Sequence, residues 1–161
     1  MKKWDLEFIM NSKFMAVAIE EAKKAFDRGE IPVGAVIVKD GEIIATGSNR
    51  REEKKSVISH AEIEAIEAAC EKIGDWRLDG CELYVTLEPC PMCTGAIINS
   101  RISTVVFGAY DLRAGSIDSV INLCDYPYDS RPQIYGGICE DDCKALLSLF
   151  FRAVRENAEK D

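Results

Sequence analysis

The chain has 161 residues, of which 47% are hydrophobic and 30% are charged. This length favours one compact domain over residues 1–161, and the composition excludes a disordered or fibrous protein. No apolar run approaches the roughly 20 residues of a membrane helix, and residues 1–7 lack the apolar stretch of a signal peptide, so we expect a cytoplasmic protein without a membrane partner.

Charge and cysteine content narrow the possible functions. The formal net charge of −8 repels polyanions, so any binding of nucleic acid has to overcome the field of the whole molecule. The seven cysteines are an odd number in a chain without a secretory signal. We therefore expect reduced thiols, some of them metal ligands, rather than a disulfide framework.

The first third of the chain predicts a helix, a hairpin and a basic loop. Apolar residues at helical spacing predict an amphipathic helix over residues 14–26. Residues 33–38 and 43–46 predict a β-hairpin that turns at an Asp-Gly pair. The polar segment 48–59 carries four basic residues against two acidic ones, so a basic loop interrupts an acidic protein.

The middle of the chain predicts one βαβ unit. A second helix is expected over residues 60–73, then a strand over 83–87, a short helix opened by proline over 91–99 and a strand over 103–107. The crossover makes the two strands parallel, and functional groups favour the carboxyl ends of such strands. We therefore expect the functional site near residues 88–93.

The last third of the chain completes the predicted architecture. A loop is expected over residues 108–118, a weak helix or turn over 120–123, a last strand over 133–135 and a closing helix over 141–158. Together the elements predict the α/β class, with one mixed sheet covered by helices on both faces in three layers, α/β/α.

Two predicted helix starts carry the residues suited to chemistry. His60 is the only histidine of the chain, and Cys90 and Cys93 form a Cys-x-x-Cys pair. Imidazole and thiolates are zinc ligands, and three protein ligands leave a fourth tetrahedral position for the water of a catalytic site. Helix amino-terminal dipoles favour thiolate over thiol. Zinc lowers the pKa of such a water, and Glu62, two residues beyond His60, is placed to take the proton.

Each segment also has a simpler interpretation. Ser59 and Glu62 fit a capping box, Cys90 and Cys93 fit a thioredoxin-like redox pair, and a lone histidine is more often a hydrogen-bonded structural residue than a ligand. The combination changes this balance. His-x-Glu followed 30 residues later by the Cys-x-x-Cys pair matches the known signature of zinc-dependent deaminases.

The other five cysteines carry less information. Cys139 and Cys143 stand four residues apart near the start of the last predicted helix, where they either bind a metal or face the core as small residues, and we favour the core. Cys70, Cys81 and Cys124 have no partner at metal-like spacing and are interpreted as core or surface thiols.

Beyond the metal motif, the chain resembles the bacterial tRNA-specific adenosine deaminases, of the cytidine deaminase-like zinc superfamily, over nearly its full length. The similar stretches outside the motif are residues 33–36, 47–50, 84–90, 100–102, 107–109 and 147–152. The resemblance implies a five-stranded cytidine deaminase-like fold, one Zn²⁺ per chain held by His60, Cys90 and Cys93, and Glu62 as the catalytic proton shuttle. It implies hydrolysis of the wobble adenosine of a tRNA anticodon loop to inosine and ammonia.

The resemblance also implies contacts with the substrate and with a second subunit. Asn49 is expected to hydrogen-bond the target base, Asp111 to lie beside its ribose, and Phe150, Phe151 and Arg152 to help hold the anticodon loop. A homodimer, in which the partner subunit contributes to each RNA site, is likewise implied.

Several stretches depart from the family's usual sequence. Residues 56–60 read Ser-Val-Ile-Ser-His, with Val57 inside a segment that is commonly Asp-Pro-Thr-Ala-His. Asp118 stands where a glycine is expected, and Asp129 and Ser130 replace a usual Asn-His pair. The often lysine-rich tail is balanced in charge here. Two alternatives therefore stay open: a paralogue that deaminates a free base or nucleoside, such as guanine or cytosine, and a non-catalytic zinc- or RNA-binding module.

Overall fold

The fold consists of helices and strands in the predicted order. The computed structural model describes residues 3–160, with side chains described for residues 12–160. The elements are α1 (Lys3–Asp27), β1 (Gly34–Lys39), β2 (Glu42–Ser48), α2 (Arg51–Lys54), α3 (Ala61–Ile73), β3 (Cys81–Leu87), α4 (Pro91–Asn99), β4 (Thr104–Ala109), a 3₁₀ turn at Leu123–Asp125, β5 (Gln133–Tyr135) and α5 (Glu140–Ala158).

The five strands form one mixed sheet in the order β2-β1-β3-β4-β5. Strand β1 pairs antiparallel with β2 and with β3, whereas β3, β4 and β5 run parallel to one another. The parallel pair β3 and β4 is connected through α4, which confirms the predicted βαβ unit. The carboxyl ends of β3 and β4 therefore meet at one edge of the sheet, next to the start of α4.

Side chains alternate between the two faces of the sheet and build a core on each. Ile37 and Val85 pack on one face with α3 and α4, while Val36 and Tyr84 pack on the other face with α1 and α5. Burying one such aliphatic side chain contributes about 1.5 to 3 kcal/mol. The arrangement confirms the predicted three-layer α/β/α architecture with five strands.

Close contact between β2 and α3 fixes the start of α3 against the sheet. A Cβ atom at Gly47 would collide with the backbone carbonyl of Ala61 and would lie 2.5 Å from the backbone nitrogen of Ala65. Only glycine therefore allows the first turn of α3 to pack this tightly on the strand. His60 and Glu62 belong to that turn, so the packing sets their position.

The largest differences from the prediction concern three elements. Helix α1 begins at Lys3 rather than at residue 14, because no glycine or proline interrupts the chain up to Asp27. The predicted basic loop contains the short helix α2, and the weak element expected over 120–123 is a 3₁₀ turn at Leu123–Asp125. Within residues 3–160 no helix combines the length and apolar character that a membrane crossing requires.

Candidate metal centre and active site

Two helix starts bring together the three predicted metal ligands. His60 is the amino-terminal cap residue of α3 and Cys90 is that of α4, directly after β3. The His60 Nδ1 atom lies 3.6 Å from the Cys90 Sγ atom and 3.5 Å from the Cys93 Sγ atom. All three ligand atoms lie within 4.8 Å of one another. Residues that lie 30 positions apart in the sequence thus come together at the carboxyl end of β3.

This geometry fits a zinc ion. Tetrahedral zinc with Zn–N and Zn–S bonds of typical length requires the ligand nitrogen and sulfur atoms to be about 3.6 Å apart. The observed separations of 3.5 and 3.6 Å match that requirement. Among residues 3–160, no further histidine, cysteine or carboxylate joins this group. Three protein ligands leave one coordination position for water, as in catalytic rather than structural zinc sites.

The pKa values of the two thiols shift in opposite directions, which favours binding of a cation. A hydrogen bond with Cys93 and a second one with His60 lower the pKa of Cys90 to about 4, despite partial burial. The same hydrogen bond with Cys90, together with burial, raises the pKa of Cys93. The site therefore holds a thiolate at neutral pH. Contact of both sulfurs with His60 also argues against a simple redox pair.

Glu62 is a buried carboxyl group beside the metal ligands. Its exposed fraction is 4%, and burial raises its pKa to about 7. A group with a pKa near the working pH transfers protons efficiently in both directions. The capping-box interpretation is wrong, because the cap residue of α3 is His60 rather than Ser59 and no side chain caps this helix. Instead of capping the helix, the Glu62 carboxyl group hydrogen-bonds Cys93, one of the candidate metal ligands.

A cavity of about 220 Å³ opens beside these residues. Its polar lining includes Asn49, Arg51, Glu62 and Asp111 next to His60. The apolar walls are formed by Ile31, Val33 and Leu87. The volume lies below the roughly 300 to 1,000 Å³ of pockets for drug-sized ligands, so the cavity suits a single planar base.

Comparison with known proteins identifies the family. The profile described as "Cytidine and deoxycytidylate deaminase zinc-binding region" matches residues 9–109. The tRNA-specific adenosine deaminase of Bacillus subtilis is 47% identical over 144 residues, which cover 89% of each chain. The chain belongs to the tRNA-specific adenosine deaminase family. It is therefore a zinc-dependent deaminase, a hydrolase of carbon–nitrogen bonds.

Two solved structures place this deaminase among its structural relatives. A tRNA:A34 deaminase, from work on A-to-I editing at the wobble position, aligns with a TM-score of 0.81 at 42% identity, covering 83% of this chain and 98% of that one. A guanine deaminase from Bacillus subtilis aligns with a TM-score of 0.58 at 35% identity, covering 68% of this chain and 80% of that one. Both similarities agree with the predicted cytidine deaminase-like fold.

Asn49 is held in the wall of the deaminase cavity by two backbone groups. Its Nδ2 atom donates a hydrogen bond to the Ile31 carbonyl at 3.2 Å, and its Oδ1 atom accepts one from the Arg51 backbone at 3.3 Å. An amide group offers two N–H donors and two acceptor lone pairs. One donor and one acceptor thus remain for a ligand, in a side chain whose orientation is fixed.

Glu88 is a buried carboxylate that organises the loop after β4, and its role is not evident from the sequence. Its Oε1 atom accepts hydrogen bonds from the backbones of Asp118 and Ser119, both at 2.8 Å, and its Oε2 atom accepts one from the Asp111 backbone at 3.0 Å and one from the Ser119 hydroxyl. Burial opposes ionisation, but these donors outweigh it and lower the pKa of Glu88. The loop that carries Asp111 is therefore fastened to the end of β3.

We expect Glu88→Gln to destabilise the deaminase. All four groups that face Glu88 are donors, so an amide NH₂ in place of either oxygen meets an N–H or O–H group and leaves it unsatisfied. One such buried loss costs about 1 to 3 kcal/mol of unfolding free energy. Urea denaturation measures the loss, with Glu67→Gln on the exposed face of α3 as the control. Equal unfolding free energies for the two variants would contradict the assignment.

A second buried carboxylate, Glu30, holds the segment on the other side of the cavity. It accepts hydrogen bonds from the backbones of Glu52 and Glu53 at 3.1 and 2.8 Å. Arg28 ties the same segment to α1 by donating hydrogen bonds to the Ser48 hydroxyl at 2.7 Å and to the Asn49 carbonyl at 3.0 Å. These contacts explain why α2 forms where the local pattern indicates a loop.

The three residues of α5 that are expected to hold the anticodon loop lie outside the cavity. Phe150 packs edge-on against Phe26 of α1 and against Phe151, with 5.8 and 5.5 Å between the ring centroids. Phe151 and Arg152 are exposed, and none of the three lines the cavity. Their assignment to an anticodon loop stays a prediction.

In the described part of the chain no third ligand joins Cys139 and Cys143, and Cys143 is buried against Gly108.

The departures from the usual family sequence are accommodated locally. Asp118 needs no left-handed backbone, so glycine is not required there, and its N–H binds Glu88. Val57 is 73% exposed, three residues before His60. Asp129 lines a groove with Thr104 and Gln133, at the opposite edge of the sheet from the metal site. Only Val57 is close to the metal ligands in sequence.

Proposed function

We propose that this deaminase converts the wobble adenosine of a tRNA anticodon loop to inosine and releases ammonia. The observation that carries the proposal is the buried Glu62 in one small cavity with His60 and Cys90. The names of the Bacillus subtilis relative and of the tRNA:A34 deaminase structure support this substrate, since both cover most of the chain.

The proposed reaction exchanges the exocyclic amine of adenine for the oxygen of one water. His60, Cys90 and Cys93 would hold zinc, which would lower the pKa of water and so make a nucleophile available at neutral pH. Glu62 takes a proton from the attacking water and delivers it to the ring. It then takes the second proton from the new C6 hydroxyl group and passes it to the amine, so that the C–N bond breaks, the C=O bond forms and ammonia leaves.

Substrate positioning is assigned to the two cavity walls. Asn49 keeps one donor and one acceptor for the edge of the base, and Asp111 lines the same cavity and is assigned to the ribose. A base inside a paired stem cannot reach so small a cavity, whereas an unpaired loop base is everted at low cost. An anticodon loop therefore suits the site.

The acidic charge favours one alternative. A net charge of −8 repels RNA but does not oppose a neutral base, and the guanine deaminase relative shares 35% identity over 68% of the chain. Against this alternative, the tRNA:A34 deaminase shares more identity over more of the chain. Four basic residues also lie in the segment 50–55, which borders the cavity.

A parallel assay separates the two functions. Purified protein is incubated with an anticodon stem-loop bearing a wobble adenosine, with free bases and with nucleosides, and ammonia and inosine are measured. The proposal predicts both products from the stem-loop. Ammonia from guanine or cytosine alone would establish the free-base alternative, and ammonia from none of them would leave a zinc-binding module.

We also propose that residues 1–161 form one deaminase domain that acts as a homodimer in the cytoplasm. Both cores share the single sheet, which supports one domain. Apolar side chains on the segments that flank the cavity are exposed, including Val57, Leu112 at 82% and Val120 at 58%. We propose that these side chains form one patch, since contiguous exposed apolar patches are typical of protein interfaces.

The dimer gives a direct expectation. Sedimentation equilibrium at micromolar concentration is expected to give twice the mass of the chain, and Val120→Glu is expected to shift the equilibrium toward monomer by placing a charge in the interface. The control is Glu67→Gln, a substitution at an exposed position of α3. A monomer mass for the unmodified chain would contradict the homodimer.

A further inference from the structure

The basic residues of segment 50–55 differ in their partners. Three of the four form ion pairs with glutamates: Arg50 with Glu53 at 3.0 Å, Lys54 with Glu64 at 2.8 Å and Lys55 with Glu52 at 3.8 Å. The fourth, Arg51, is exposed. Its guanidinium group makes no ion pair or hydrogen bond within the part of the chain that the structure describes. Within the described residues, Arg51 thus carries an unpaired positive charge, whereas the other three basic side chains of the segment are in ion pairs.

Arg51 is also the only one of these four that lines the cavity beside the metal ligands. Its side chain is exposed to solvent as well as lining this cavity. The cation therefore lies at the mouth of the cavity that holds His60 and Glu62.

The backbone that carries Arg51 is held from two sides. Its N–H group binds the Asn49 side chain at 3.3 Å, and the next two backbone N–H groups bind the buried Glu30. The guanidinium group is thus mounted on an anchored turn, next to the asparagine that faces the ligand. Because this backbone is already ordered, binding an anion costs only the freedom of the side chain itself.

The chemistry of the substrate supplies the missing anion. A nucleotide whose base enters the cavity carries phosphates on its sugar, outside the cavity mouth. Guanidinium binds phosphate through two parallel N–H donors, which makes arginine well suited to this contact. A free base or nucleoside has no phosphate to offer. Such a contact would favour an RNA strand despite the acidic charge of the whole chain.

We propose that Arg51 binds a phosphate flanking the target nucleotide and so selects RNA over free bases and nucleosides. This inference rests on the proposed function. It makes Arg51 a specificity-determining residue, and it leaves the proton transfers by Glu62 unchanged.

The test compares Arg51→Gln with Arg50→Gln, its ion-paired neighbour. Affinity for the wobble-adenosine stem-loop is measured by fluorescence anisotropy over a range of salt concentrations, together with kcat and KM. We expect Arg51→Gln to weaken binding about ten- to a hundredfold and to raise KM with little change in kcat. The slope of log affinity against log salt is expected to fall by about 0.7, the value for one lost phosphate contact on a single strand. Arg51→Lys should restore the slope but only part of the affinity.

The outcomes separate this inference from the function on which it rests. Turnover of the stem-loop by the unmodified chain, with Arg51→Gln and Arg50→Gln equal in affinity and salt slope, would overturn the role of Arg51 alone. If the unmodified chain deaminates free bases but not the stem-loop, the proposed function fails and this inference fails with it. A larger loss of affinity and slope for Arg51→Gln than for Arg50→Gln supports it.

Discussion

Glu62→Gln is expected to reduce deamination by about 10² to 10⁴-fold, the usual contribution of a general acid–base group, and by more if one carboxyl serves every proton transfer. Glutamine has the same shape but cannot accept and return a proton. Burial raises the pKa of Glu62 to about 7, which suits proton transfer in both directions. Rates of inosine formation, with zinc content measured in the same samples, test this expectation.

The control for this variant lies on the same helix. Glu64 is two residues further along α3 and pairs with Lys54 at 2.8 Å, away from the metal ligands. Glu64→Gln is expected to retain turnover, since a partly exposed ion pair contributes little to stability. Full activity of Glu62→Gln with normal zinc content would show that Glu62 has no role in proton transfer.

Cys93→Ala is expected to abolish both zinc binding and activity. Cys93 is fully buried and is one of the three candidate metal ligands found among residues 3–160. Without it, the site keeps one sulfur and one nitrogen, too few to hold zinc at a catalytic site. Because both the nucleophile and its activation depend on the metal, the rate should fall by at least about 10⁴-fold, further than in Glu62→Gln.

Cys124→Ala provides the matched control for that loss. Cys124 is also buried, with 3% exposure, and lies outside the metal cluster. Both substitutions remove a similar volume from the interior, so they share any cost of packing. Elemental analysis should find one zinc per chain in Cys124→Ala and none in Cys93→Ala. One zinc per chain in both variants would contradict the ligand assignment.

The sequence predicts the metal site well because its signal is local and chemical. His60 and Cys90 cap the starts of two predicted helices, Cys93 lies in the first turn of the second, and few metals suit one imidazole and two thiolates. The order of helices and strands is equally local, since it rests on the spacing of apolar residues. The resemblance to the deaminases adds Asn49 and Asp111, which line the same cavity as two of the candidate metal ligands.

The supporting residues could not be predicted in this way. Glu88 binds backbone groups 23 to 31 positions further along the chain, and Glu30 binds groups 22 and 23 positions away. Any backbone N–H is a potential partner, so no residue type at the far end signals the contact. The only local signal is a carboxylate directly after a buried strand, as at Glu88. Helix α2 was missed for the same reason, because contacts with Glu30 stabilise it.

The central claim is hydrolytic deamination of the wobble adenosine, and isotope labelling tests it most directly. The stem-loop is incubated with the protein in water labelled with heavy oxygen, then digested to nucleosides and analysed by mass spectrometry. The account predicts inosine at the wobble position only, one heavy oxygen atom in each inosine base, and one ammonia released per inosine. Unchanged adenosine at that position, or inosine without the label, would contradict it.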